Sequence, residues 1–364
     1  MGRVTLQTIA DQVGVSRMTV SNAFSRPDQL SATLREQILA VADKLGYAGP
    51  DPAARALASG SAGTVGILLS DVLGDALTDE VAMTFLASIA DELAPTGRAM
   101  TLVSAAAKEH IVPARDVAMD GALVYSCDPE SSAVGWLLRR RIPLVFVDQA
   151  PAAGIASVNV DDRGGARSAA QHIVDLGHRD VGIATAGFGG EHGTLADPLS
   201  NVSAYPERQR LVGWFDALTA AGITPTVVRQ HHGRPHDTGY AAGKTLLDRR
   251  RPPTAILCFS DAMARGVIDA VADAGLAVPD DVSVVGFDDN PLGRRTPPAL
   301  TTVRQDVEAK GRQATAALIK ALDRAGTDRA GRGRHTVLPT ELVIRDSTAA
   351  PPRPKSAGSR RGRN

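Results

Sequence analysis

The sequence predicts a small all-α unit joined to a large α/β body of two Rossmann-like halves. Three observations carry that expectation. Residues 4–45 repeat apolar side chains with a helical period that glycines interrupt. From Thr64 on, short apolar runs alternate with helical stretches, which means parallel sheets with right-handed crossovers. Between them lies a short, helix-prone segment bounded by Gly49 and Gly60.

In the first unit, Leu6, Ile9, Ala10 and Val13 recur at i, i+3, i+4 and i+7, one apolar face of a helix. Thr5 caps its start, because a side-chain oxygen there satisfies an orphan backbone N–H. Gly14 supplies the turn, where a residue without Cβ tolerates positive φ. Ser16 caps a second helix whose Val20 and Phe24 face inward, leaving Arg17, Met18, Ser21 and Asn22 outward near its N-terminal end. Two short helices joined in this way form a helix-turn-helix, and those outward positions reach base edges in DNA. A generic helical hairpin is the blander reading. The small polar and basic outer face and the serine cap favour DNA.

Thr33-x-x-Glu36 has the capping-box pattern for a third helix, with Ser31 a competing cap. Leu34, Ile38, Val41 or Ala42, and Leu45 share its apolar face, and Gly46 stops it. Next, Asp51 is placed to cap a helix with Pro52 at its first position and Gly60 at its end. So short a helix is marginal alone in water, and Leu57 has no evident core to enter. Either the segment is a linker, or it is a hinge that folds when two copies meet on DNA and wedge Leu57 into a minor-groove step.

These motifs are Val4-Thr5-Leu6, Ile9-Ala10, Gly14-Val15-Ser16, Thr19-Val20-Ser21, Ser31-x-Thr33-x-x-x-Ile38, Leu45-Gly46-Tyr47 and Ala54-Arg55-Ala56-Leu57. In that order they make residues 4–60 resemble the headpiece of the LacI/GalR family of bacterial transcription regulators. The resemblance implies that Arg17, Met18 and Asn22 read bases. It implies phosphate contacts from Thr5, Ser16, Thr19, Ser21, Ser31 and Tyr47, and a hinge carrying Arg55 with Leu57 as the wedge. One departure is Gly49-Pro50-Asp51-Pro52 where the family commonly has Tyr-x-Pro-Asn, one residue longer here.

The 364 residues have room for two or three domains, and 43% hydrophobic content is ordinary for a globular protein. Net charge is zero, yet unevenly spread: residues 1–60 hold six basic and five acidic residues, and 347–364 hold five basic and none acidic. Specific binding therefore rests on dimer geometry and base contacts as well as counterion release. Cys127 and Cys258 make neither a disulfide framework nor a metal quartet, and are expected buried in or beside strands. No apolar run is long enough for a membrane span and no signal peptide is seen, so a cytoplasmic protein is expected.

In the body, strands are expected at Thr64–Ser70, Arg98–Ser104, Gly121–Ser126, Pro143–Val147 and Ala156–Val160, with helices near 79–94, 112–118 and 130–141. A second series has strands near Val181–Thr185, Thr226–Gln230, Thr254–Phe259 and Val282–Phe287, and helices near 162–176, 206–221, 237–249 and 261–275. Two such units face across a cleft, and open α/β sheets bind ligands at the carboxyl ends of strands. The family resemblance continues through Ile142-Pro143-Leu144-Val145-Phe146-Val147-Asp148, His172-Ile173-x-x-Leu176-Gly177-His178-Arg179, Arg210-Leu211-x-Gly213-Trp214, Ser260-Asp261-x-Met263-Ala264, Val282 to Asp289, and Pro298-x-Leu300-Thr301-Thr302-Val303. It implies a periplasmic-binding-protein-like effector domain whose chain crosses back near 290 and again near 325. The expected division is a headpiece at 1–48, a hinge at 49–61 and a ligand-binding and dimerisation domain at 62–346. Within the last, subdomain 1 takes 62–160 and 290–325, and subdomain 2 takes 161–289 and 326–346. A disordered basic tail follows at 347–364.

Asp148, Arg210 and Asp288 stand at strand ends or on a cleft-facing helix, where charged groups make bidentate hydrogen bonds to vicinal hydroxyls. The resemblance makes these three the first effector contacts, followed by Tyr125, Ser260, Arg234 and Thr78. Asp261 and Asp289 are read as turn or cap residues. Ser260 stands where many sugar-responsive relatives have asparagine, and the loop Asp71 to Asp79 lacks the usual Asn-Pro-Phe. A sugar, a nucleoside or another polar metabolite is compatible with the cleft.

Three further patterns are discounted. Gly243-Lys244-Thr245 lies within a helical stretch and has Thr238 where a phosphate-binding loop needs glycine. His231-His232-x-x-x-His236 has no carboxylate or cysteine at useful spacing, so loop histidines are expected rather than a metal site. Gly187-x-Gly189-Gly190 lacks dinucleotide-fold spacing. No cofactor is implied and no catalytic triad is visible, so an enzyme is not expected. A transport-type binding protein would share the cleft but has no use for residues 4–60.

The implied partners are a double-stranded DNA operator, a small polar effector such as a sugar, and a second copy of the chain, with no membrane. One headpiece reads one half-site, so a two-fold dimer on a pseudo-palindrome is expected. Residues 347–364 contain no leucine and build no coiled coil, which favours dimers over tetramers. Ligand and DNA would then be coupled through the hinge, with a sign that sequence leaves open: inducer or corepressor.

Overall fold

The computed structural model describes residues 4–69, 73–105, 111–187, 192–200, 202–230, 233–295, 297–324 and 333–353. It divides into two compact units, at Met1–Gly63 and Thr64–Asn364.

In the first unit, α1 (Leu6–Val13) starts at Thr5, whose Oγ1 accepts from the Thr8 N–H at 3.3 Å, and stops at Gly14 with φ +79°. Next, α2 (Arg17–Ser25) starts at Ser16, whose hydroxyl accepts from the Thr19 N–H at 3.0 Å. The cap of α3 (Ala32–Lys44) is Ser31, not the Thr33–Glu36 pair. Ser31 has the extended backbone a cap needs and accepts from Leu34 N–H, whereas Thr33 already lies inside the helix. Ile9, Ala10, Val20, Ala23, Ile38 and Ala42 form the small buried core of these three helices. Arg35 ties α3 to α2 by donating to the Ala23 carbonyl. The fourth helix, α4 (Pro52–Ser59), starts at Asp51, whose carboxylate accepts from Ala53 and Ala54 N–H, and ends at Gly60.

The second unit opens with β1 (Thr64–Leu69), α5 (Leu73–Ala76), α6 (Glu80–Leu93), β2 (Ala99–Ser104), α7 (Pro113–Asp116), β3 (Gly121–Tyr125), α8 (Ser132–Arg140), β4 (Leu144–Val147) and β5 (Ala156–Val160). It continues through α9 (Asp162–Asp175), β6 (Val181–Ala186), β7 (Gly193–Thr194), α10 (Tyr205–Ala220), β8 (Thr226–Gln230), α11 (Pro235–Leu247), β9 (Ala255–Cys258), α12 (Asp261–Asp273), β10 (Ser283–Asp288) and α13 (Pro291–Arg295). The last elements are β11 (Thr301–Gln305), α14 (Val307–Arg324), β12 (His335–Leu338) and β13 (Thr340–Val343). Six parallel strands in the order β12-β5-β4-β3-β1-β2 make the first lobe, and seven in the order β13-β11-β10-β9-β6-β8-β7 make the second. In the second sheet, β13 and β7 run antiparallel at the two edges. Most strands read as unbroken apolar runs because helices cover both faces of parallel sheets.

Chain return differs from expectation. The crossings fall after β11 and between β12 and β13, not near 290 and 325. Thr301–Gln305 is a buried strand paired with β10, and its Val303 enters the second core. Apolar burial decides the next segment too: Ala314 and Leu318 of α14 enter the first core, and β12 pairs with β5. Nor does the chain lose order at 347. Ser347 is buried and exchanges hydrogen bonds with the backbone of Val284, while the Ser283 hydroxyl accepts from the Ala349 N–H. The basic residues beyond 353 lie outside the described residues.

Cys127 and Cys258 are both buried. Among the described residues, no helix is long and apolar enough to cross a membrane. Close packing of α11 on α12 depends on two glycines. A Cβ on Gly266 would stand 2.0 Å from the His236 carbonyl oxygen, and one on Gly239 would stand 2.1 Å from that of Met263. Neither contact relieves without moving a helix, so Gly266→Ala is expected to destabilise the second unit by about 1–3 kcal/mol or more. The midpoint of urea unfolding, followed by circular dichroism, reads this directly.

Candidate functional site

Two surfaces collect the residues singled out by sequence. On the first unit, Arg17 and Met18 project from the first turn of α2, with Met18 69% exposed despite its apolar side chain. Thr19, Ser21 and Asn22 are half-buried. The Asn22 amide donates to Gln29 Oε1 at 3.2 Å, and the Ser16 and Thr19 hydroxyls lie 2.8 Å apart. Thr5, Ser16 and Ser31 are thus helix caps first, each beside a helix N-terminus where backbone N–H groups favour an anion. Tyr47 packs edge-on against Phe24, with centroids 5.7 Å apart. On α4, Arg55 is exposed and Leu57 is 88% exposed.

The second surface is a cavity of about 310 Å³ at the carboxyl ends of the strands, lined from both lobes. Tyr125 and Asp148 reach it from the first lobe; Arg210, Ser260 and Asp288 reach it from the second. Thr78 and Arg234 are exposed and do not line it. Ser126, Asp148 and Asp288, all in the lining, have φ of +45°, +53° and +122°. Such backbone costs roughly 1–3 kcal/mol per residue and persists where surroundings hold it, commonly at binding sites.

What holds it is a buried polar chain. Lys310 of α14, 1% exposed, donates to Asp148 Oδ2 at 2.6 Å and to Gln305 Oε1 at 2.9 Å. The amide of Gln305 in turn donates to Asp288 Oδ1 at 2.6 Å. Arg210 stands 3.8 Å from Asp288, donates to Asp162 at 2.8 Å and to the Phe259 carbonyl, and lies over the Phe287 ring. Burial pushes the Asp162 carboxyl up to about 6 and that of Asp288 up to about 7, although Arg210 opposes both shifts. Asp79, which caps α6 at the rim, is also raised by burial. Asp148 Oδ1 and Asp162 Oδ2 are buried and have no hydrogen-bond partner among the described residues.

Sequence reasoning missed Gln305 and Lys310, and gave no role to Asp79, Asp162 or Gln230, though Asp79 and Gln230 also line the cavity. One signal was present: Lys310 falls in helical register with Val307, Ala314 and Leu318, a charge on an apolar face. Asp261 and Asp289 are more than turn or cap residues. Buried Asp261 accepts from Asn290 N–H and the Thr302 hydroxyl, and Asp289 binds Arg294, Arg304 and Arg345, because polar groups taken from water must be paired. His236 does have carboxylate neighbours: it joins Asp237 and Asp269, linking α11 to α12. Gly243, within α11, faces Val267 and Ala270 of α12. His231, His232, Gly189 and Gly190 lie outside the described residues.

Two expectations follow from the chain of charges. Lys310→Met leaves Asp148 buried without its cation and is expected to cost about 3–5 kcal/mol in denaturant unfolding, with Lys310→Met/Asp148→Asn recovering much of it. The raised carboxyl of Asp288 keeps a proton in the folded state that the unfolded chain releases. Its contribution is therefore fully present below the unfolded value of 3.8 and is lost as pH rises to about 7. Asp288→Asn is expected to gain stability relative to the parent across that window, with the difference level above it. Melting temperatures of the two proteins from pH 4 to 8 check the sign.

Family models match the chain in two places: "Bacterial regulatory proteins, lacI family" over residues 5–49 and "Periplasmic binding protein-like domain" over residues 170–348. An HTH-type transcriptional regulator of Mycobacterium tuberculosis is 38% identical, covering 96% of this chain and 98% of its own. The lac repressor dimer bound to operator and the anti-inducer ONPF superposes with a TM-score of 0.75 at 26% identity, covering 96% of this chain and all of that one. A complex of the regulator CelR with cellobiose gives a TM-score of 0.65 at 25% identity, over 95% of this chain and all of that one.

Proposed function

The chain belongs to the lacI family of bacterial regulatory proteins and is a DNA-binding transcriptional regulator, and from that premise we propose that it is a dimeric repressor released or tightened by a small polar metabolite. In this reading α2 enters the major groove, with Arg17, Met18 and Asn22 on base edges, and Thr5, Ser16, Thr19, Ser21, Ser31, Tyr47 and Arg55 on the backbone. The observation that carries it is Leu57, an 88% exposed leucine on a helix with no buried residue among those described. An apolar side chain so fully presented is suited to wedging between base steps. Two copies of the unit on a pseudo-palindrome supply the pair of hinge helices. The operator and dimer named for the lac repressor structure support this arrangement.

The effector sits between the lobes, where Tyr125, Asp148, Arg210, Ser260 and Asp288 converge, and a sugar is the leading class. Cellobiose in the CelR complex supports a polyhydroxy ligand at a site of this fold. Binding changes the angle between lobes, and the coupling is reciprocal: DNA alters effector affinity by the factor by which effector alters DNA affinity.

Electrophoretic mobility shift with DNA from around its own gene, with and without a panel of sugars and nucleosides, tests this. Release by a compound identifies an inducer, and tightening identifies a corepressor. Removing residues 1–60 is expected to abolish DNA binding and preserve effector binding. Leu57→Ala is expected to weaken operator binding by roughly tenfold or more while leaving binding to random duplex nearly unchanged. Operator binding that survives loss of the headpiece overturns the assignment.

A further inference from the structure

We infer that the cavity selects by charge: it takes a ligand without negative charge that presents hydrogen-bond donors at two separated points, and it rejects phosphorylated or carboxylated forms of the same compound. This rests on the cleft being the effector site.

Three carboxylates line the cavity, those of Asp79, Asp148 and Asp288, and the Asp162 carboxylate is bound to Arg210 beside them. Against them stand two cations, and both are engaged. Lys310 is divided between Asp148 and Gln305. The one cation lining the cavity among the described residues, Arg210, is held by Asp162, Asp288 and the Phe259 carbonyl. Its guanidinium is also covered by aromatic rings, 4.5 Å from the Phe259 centroid and 3.6 Å from that of Phe287. Among the described residues, an arriving phosphate finds no ammonium and only the Nη2 of Arg210, on a guanidinium whose Nε and Nη1 already serve Asp162 and the Phe259 carbonyl, and it meets a surplus of carboxylates at low dielectric.

Acceptors, in contrast, are in surplus. The buried Asp148 Oδ1 has no donor among the described residues, on a side chain only 8% exposed. An O–H or N–H of the ligand supplies what Asp148 lacks. Asp148 follows the last strand residue of β4 in the first lobe, and Asp288 ends β10 in the second. A ligand that donates to both ties the lobes together, and one with donors at a single end does not. Lys310 holds the two carboxylates in register, directly at Asp148 and through Gln305 at Asp288.

The test uses the full chain and isothermal titration at pH 7.5 with sets of probes differing in one group: glucose, glucosamine and glucose 6-phosphate, and the same three forms of galactose and mannose. A low-molecular-weight bacterial extract, fractionated on a strong anion exchanger and read by thermal shift, widens the search. The expected result is binding by a neutral or amino member, at least hundredfold weaker binding by its phosphate, and a melting shift confined to the unretained fraction. Asp148→Asn and Asp288→Asn are each expected to weaken that binding by tenfold or more. A phosphorylated probe or retained fraction that binds more tightly, and loses affinity in Asp288→Asn, overturns the charge rule and leaves the cleft as the site. Binding that ignores both variants, or no active probe or fraction, overturns the cleft reading and this inference with it.

Discussion

Buried charge at the floor of the cleft is the constraint on which the second unit depends. From Asp148 through Lys310, Gln305, Asp288 and Arg210 to Asp162, each polar side chain is satisfied chiefly by the next. Taking so many ions from water is expensive, and the cost is recovered only when all stand in place together. The chain begins in the first lobe, passes through α14 and ends in the second lobe. Neither sheet can therefore settle its strand ends without the other. The left-handed backbone at Asp148 and Asp288 belongs to the same arrangement, since carboxylates tethered to an ammonium and an amide cannot relax into ordinary strand geometry.

The two units are held by different means. Three short helices enclose six buried apolar residues, and their ends are secured by hydroxyl caps. That is a shallow well, adequate for a domain of this size but little more. The second unit has four separate cores on the faces of its two sheets, with α9 packed on α10 and α11 on α12. Glycine contacts draw α11 and α12 to backbone distance, so that lobe is stiff where it carries Ser260 and the rim around Gly233 and Pro235.

Legibility in the sequence followed the range of the interactions. Caps, turns and helical periodicity are local, so α1 and α2 and the strands up to β10, except the two-residue β7, could be placed within a few residues. Ser31 against Thr33 was an ambiguity between neighbours, decided by which one keeps an extended backbone. What escaped was long-range: Thr301–Gln305 pairs with a strand in the second lobe, and the helix after it returns to the first. Nothing local distinguishes those destinations. Asp148 and Asp288 were legible as charges at strand ends against apolar runs, and Arg210, within α10, through the family resemblance. Gln305 and Lys310 were not, since a glutamine after a strand and a lysine in a helix ordinarily mean surface.

The last described residues carry a consequence for how the protein is made. Ser347 and Ala349 hydrogen-bond to β10, β13 pairs with β11, and β12 completes the first sheet. Both sheets therefore wait for strands at residues 301–343, whereas the helical unit is complete once residue 60 or so has left the ribosome. During translation a folded DNA reader precedes its own sensor by most of the chain's length. Read as a timetable, the topology closes the helical unit while both sheets still lack strands that come after residue 300.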